Sequence, residues 1–133
     1  LARLSTILGN AAWRTEAGRI FHLFGTTLDK SASAVPAMVT ALDFFHRGKQ
    51  QIVLAGDRTS PEFAALAKAV HTRFLPTAII LHADGGEGQE LLGRNNEALK
   101  NMTPISGKPA AYVCEGYTCK APVTDPEALK KLL

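Results

Sequence analysis

Cysteine is nearly absent from this 133-residue sequence, and its two copies, Cys114 and Cys119, fall inside one short stretch, YVCEGYTCKAP, at positions 112–122. Two thiols cannot build a disulfide framework, and without a second cysteine pair they do not complete a zinc site. No apolar run approaches the ~20 residues that cross a bilayer as a helix. The opening LARLSTILGN lacks the uncharged apolar block and cleavage site of a secretory signal. A cytoplasmic location and no membrane partner are therefore expected. Aromatics make up only 7%, and the 15 basic residues are scattered rather than striped, so the net charge of +3 describes solubility and no nucleic-acid partner is expected. What is plentiful is apolar residues, at 46%, against 20% charged. A chain of this length buries roughly two-thirds of its unfolded surface, enough for a core without staples.

The apolar spacing divides the chain in two. In LARLSTILG, Leu1, Leu4 and Leu8 share a stripe that Gly9-Asn10 stops, which reads as the end of a helix and implies that residues are missing upstream. Trp13, Ala17, Ile20, Phe21, Phe24 and Leu28 follow at intervals of three and four, predicting a helix to about Leu28. After a polar break at 31–36, Met38, Val39, Leu42 and Phe45 mark a second helix ending before Gly48. A helical hairpin over 1–48 leaves apolar surface in need of a cover.

From Gln51 the pattern changes. Ile52 to Ala55 is a short run of the kind buried on both faces of a sheet, and Gly56-Asp57 ends it. Thr59-Ser60-Pro61-Glu62 opens a helix whose inward stripe is Phe63, Leu66, Ala67, Val70 and Phe74, and 77–82 reads as a second strand. Strand, helix and strand predict a parallel pair with a right-handed crossover. A mobile connection over 84–88 and weakly helical residues through Met102 lead to a third strand, Ala110 to Cys114. A last helix is capped by Thr124-Asp125-Pro126-Glu127. The expected fold class is α/β: a helical hairpin over 1–48, then a small three-stranded, mainly parallel sheet with flanking helices over 51–133.

Candidate sites are few. Five extended residues would hold Cys114 and Cys119 roughly 16 Å apart, so they meet only if the chain reverses between them, which Gly116 permits. Structural thiols carry the most weight; a reversible disulfide makes both cysteines redox candidates; a metal carries least, since His22, His46, His71 and His82 all lie far off in sequence. No metal or cofactor is expected. Gly56 and Asp57 leave the carboxyl end of a strand, where ligands gather in open α/β sheets, although an ordinary tight turn needs the same residues. His82 closes the second strand and is the third ligand-binding candidate. The glycine-rich ADGGEGQELLG has Leu91 where a dinucleotide fingerprint needs glycine, and it is read as a turn. No catalytic residue can be named.

Three segments carry a resemblance: LSTILGNAAWRTEAGRIFHLFGTTL, then ALDFFHRGKQQIVLAGD with RFLPTAIIL, and the ending GKPAAYVCEGYTCKAPVTDPEALKKLL. Together they resemble the C-terminal region of the YyaL family of thioredoxin-like, spermatogenesis-associated proteins. The resemblance implies an N-terminal thioredoxin-like domain, an α/α toroid similar to that of N-acylglucosamine 2-epimerases, and a terminal α/β segment. On that basis 1–48 would supply the last toroid helices, and the partners would be the missing N-terminal domains of the same polypeptide. The expected role is a structural or docking module without catalysis of its own, prone to self-association when isolated. The alternatives are a thiol-disulfide accessory working through Cys114 and Cys119, or part of a carbohydrate-processing enzyme. Cys114 and Cys119 match the family's closing phrase, which assigns them no role.

Overall fold

The structure, a computed structural model, describes every residue except Lys49 and Tyr117. The chain divides into two compact units, Leu1–Gly48 and Lys49–Leu133. The first is helical: α1 (Ala2–Ile7), α2 (Ala11–Leu23), α3 (Gly25–Ser31), a 3₁₀ turn over Ala32–Ala34, and α4 (Pro36–Arg47). Gly9, at φ 63°, ends α1 in the left-handed conformation that glycine adopts cheaply, and the Asn10 side chain caps α2 by accepting from the Trp13 N–H. The helix expected to reach Leu28 instead breaks at Phe24 and restarts at Gly25. Glycine followed by two β-branched threonines is weak helix sequence, and the break falls there. Pro36 opens α4, as a residue without an N–H can. Phe21 of α2 meets Phe45 of α4 edge-on at 5.3 Å, and the Arg14 guanidinium lies over the same Phe45 ring while donating to its carbonyl.

The second unit contains β1 (Gln50–Ala55), α5 (Pro61–His71), β2 (Ile79–Ala83), α6 (Glu87–Gly93), α7 (Glu97–Lys100), β3 (Ala110–Glu115), β4 (Thr118–Cys119) and α8 (Pro126–Leu132). Ser60 caps α5 through the Phe63 N–H and Asp125 caps α8 through the Ala128 N–H, each ahead of a proline in the first turn. The sheet order is β2-β1-β3-β4. β1 and β2 run parallel, as a strand-helix-strand unit requires, but β1 with β3 and β3 with β4 are antiparallel. The expectation of three mainly parallel strands is thus corrected to four strands in a mixed sheet. The reversal follows from the path after β2. The chain crosses through α6 and α7, then turns tightly where Ser106 and Gly107 both take positive φ between the mutually bonded Ile105 and Lys108, and β3 enters from the opposite end.

Side chains of β1 alternate between two layers. Ile52 and Leu54 join Phe63, Leu66 and Val70 of α5, Ala111 and Val113 of β3, and Leu129 of α8. Val53 and Ala55 join Ala83, Leu99, Met102 and Cys114 on the other side. The two-sided burial of β1 accounts for its unbroken apolar run. Phe74, expected on the inward stripe of α5, lies beyond that helix and is 91% exposed. Among the described residues no helix is long and apolar enough to cross a membrane.

Candidate functional site

At the carboxyl ends of β1 and β2 lies an open cavity of about 380 Å³. Gly56, Asp57 and His82 all line it, with Arg58, Asp84 and Gln89. Parallel register explains the gathering: Ala55 sits beside Ala83, so the loops leaving both strands emerge together. Gly56 turns at φ 139°, and its N–H donates to the Ala83 carbonyl.

Both ring nitrogens of His82 are engaged. Arg58 Nε donates to Nδ1 at 2.7 Å, and a guanidinium has no lone pair to offer in return, so Nδ1 is the acceptor. The proton therefore resides on Nε2, which donates to the Gly56 carbonyl at 2.7 Å. The ring also packs edge-on against Phe63, centroids 4.9 Å apart. Held on three sides, His82 braces the two loops and has no lone pair left for a substrate proton.

The carboxylates are tied as well. The Thr59 backbone N–H and then its hydroxyl donate to Asp57 and hold its carboxyl below the usual range. The Gly86 N–H does the same for Asp84, helped by the charge of the Arg58 guanidinium. Gln89 is the residue that sequence reasoning missed. Its Oε1 accepts from the Gly85 N–H at 2.7 Å, while its Nε2 donates to the Leu99 and Met102 carbonyls at 2.7 and 3.1 Å. The connection expected to be mobile is thereby tied to the helical layer, and α6 begins inside it, at Glu87. The only available signal was a lone amide within the glycine-rich stretch. Among the described residues no serine or cysteine lines the cavity. Among the described residues no group of three or more His, Cys, Asp or Glu could hold a metal ion. The cavity walls thus present polar groups that are already hydrogen-bonded to one another or to the backbone.

The cysteines are at the other end of the sheet. Cys114 pairs across β1 with Gln51, whereas the cavity end of β3 begins at Ala110, opposite Ala55. Gly116, at φ 55°, turns the chain back, and Cys114 and Cys119 face each other across β3 and β4, joined by a disulfide with Cα atoms 3.9 Å apart. The Lys120 N–H donates to the Val113 carbonyl, so the cysteines occupy the neighbouring pair that shares no ladder hydrogen bonds, where side chains come closest. Cys114 is 5% exposed, within the Val53 and Met102 layer, and Cys119 is exposed. Tyr117, part of the cysteine stretch, lies outside the described residues.

Comparison with known proteins finds no matching family model and no matching solved structure. Relatives do match along the chain. Human spermatogenesis-associated protein 20 is 32% identical over 133 residues, 100% of this chain and 17% of that protein. Its rat counterpart is 30% identical over the same span, and an uncharacterized protein of Caenorhabditis elegans is 28% identical over 99% of the chain and 18% of its own length. The chain thus spans less than a fifth of the curated relatives it matches. Over its length the chain is thus similar to spermatogenesis-associated protein 20.

Proposed function

We propose that this chain is a docking module belonging to the C-terminal part of a much larger polypeptide, with no catalysis of its own. In this reading Leu1–Gly48 supplies the last helices of an α/α toroid that follows a thioredoxin-like domain, and the α/β unit closes the chain. Its partner is the remainder of the same polypeptide. The observation that carries the reading is the apolar surface of the helical unit: Leu1, Leu4, Trp13, Ile20, Leu23, Phe24 and Val39 are all at least 36% exposed. Beside them runs a groove of about 520 Å³, lined by Ala17, Ile20, Phe21, Val35 and Met38 among others. Ungrouped surface leucines are ordinary, but this many exposed large apolar side chains on one small helical unit call for a cover. The relatives' sixfold greater length supplies a candidate for it. The occupied ring nitrogens of His82 support the non-catalytic part of the reading.

The test compares the 133-residue chain with the full-length protein. Alone, the chain should bind a hydrophobic dye and self-associate with rising concentration in light scattering. In the full-length protein the amides of α2 and α4 should exchange more slowly with deuterium. A chain that stays monomeric at all concentrations and binds no dye would remove the reading.

A further inference from the structure

We propose that the Cys114–Cys119 disulfide is a thiol-disulfide exchange site for an external dithiol, with Cys119 as the sulfur attacked and Cys114 as the resolving thiol. The proposal is independent of the docking reading and rests on asymmetry within the pair. Cys119 lies in β4, the edge strand of the sheet, and is exposed. Cys114 lies in β3 with 5% of its surface exposed, among apolar side chains that shield it from an incoming nucleophile. Of the two residues, an incoming nucleophile therefore meets Cys119 first.

The edge can also give way. β4 is two residues long, and its described ties to β3 are the pairs Cys114 with Cys119 and Glu115 with Thr118, followed by the Lys120 N–H to the Val113 carbonyl. Beyond it the chain is anchored again, by the Ala111–Val123 bridge and by Lys120 Nζ donating to the Leu132 carbonyl. Opening the disulfide thus frees a short edge segment and leaves both packed layers in place. Exposed disulfides of this kind are the ones that exchange, whereas buried ones resist reduction.

The chemistry is balanced by the dithiol. Its first thiolate attacks Cys119 Sγ. A new S–S bond forms there, the Cys114–Cys119 bond breaks, and Cys114 Sγ departs with the electron pair and takes a proton from water. The second sulfur of the reagent, deprotonated, then attacks its partner in the mixed disulfide and expels Cys119 as a thiolate, which protonates in turn. Two electrons and two protons pass to the protein, and the dithiol leaves as its disulfide. Reoxidation runs the same steps backwards, beginning at Cys119.

The experiment equilibrates the folded 133-residue chain with dithiothreitol at graded ratios of reduced to oxidised reagent, quenches with acid, alkylates, and maps peptides by mass spectrometry. Both thiols should appear together, reversibly, without denaturant. In the reduced protein, iodoacetamide should modify Cys119 at least about tenfold faster than Cys114, because reactivity follows thiolate access. C114S should form a mixed disulfide with glutathione at Cys119, while C119S should form little at Cys114; the wild-type alkylation ratio holds the test if either variant misfolds. Reduction only after urea unfolds the chain would make the bond a structural staple and overturn the proposal. So would equal alkylation of the two thiols, or finding both thiols free under mild oxidant.

Discussion

Arg58 Nε and His82 Nδ1 stand 2.7 Å apart, a cation donating to an uncharged imidazole across the ends of two parallel strands. The pair is a cross-loop tie, and its energetic worth is measurable. Denaturant unfolding of R58A, H82A and the double variant should give a coupling of about 0.5–1.5 kcal/mol, the size of one net hydrogen bond. H82A should be the costlier single change, since it also removes the bond to Gly56 and the Phe63 contact. Additive single effects would show that the tie contributes nothing to stability.

Asp57 and Asp84 set an acid-side dependence. Both carboxyls are lowered in the folded state, first by backbone N–H donors, so protons bind more tightly to the unfolded chain. Their stabilisation is fully present above the unfolded carboxylate value and is lost as pH falls through the lowered folded values. Thermal unfolding of the D57N/D84N variant should accordingly decline less steeply than wild type over that acidic interval. Parallel curves would disprove this assignment.

Gln89 joins one backbone N–H to two carbonyls, and it is itself buried, at 7% exposure. Q89L keeps most of the volume and strands those groups, so it should cost about 2–4 kcal/mol, because each unpaired buried polar group costs roughly 1–3. Hydrogen exchange should speed up at Gly85. A neutral Q89L variant would mean that water replaces the amide.

Gly56 combines φ 139° with close approach to Pro109, whose atoms an added Cβ would meet at 3.0–3.1 Å. G56A should therefore destabilise the chain by about 1–3 kcal/mol through backbone strain and the clash. Unchanged stability would require the loop to reshape, which the chemical shifts of Ala83 and Ala110 would report.

The parts of this fold that could be read in advance are those encoded by near neighbours. Ser60 before Pro61 and Asp125 before Pro126 announce α5 and α8, since a cap needs only the residues of one turn. The β1 run announces a strand covered on both faces for the same local reason. The resemblance carried by three segments pointed to spermatogenesis-associated proteins, and the relatives that match along the chain carry that name. Gly56, Asp57 and His82 were each visible as strand-end residues, yet their meeting in one cavity was not.

That meeting depends on register between β1 and β2, which is set by pairing across 26 or more residues of sequence and has no local signature. The same holds for the direction of β3, the two-residue β4, the reach of Gln89 to Leu99 and Met102, and the burial of one cysteine beside the exposure of the other. Periodicity records which face of an element is apolar; it does not record which distant element covers that face. The short-range chemistry of turns and caps was therefore written in the amino-acid order, while the sites arose from long-range packing that no single segment specifies.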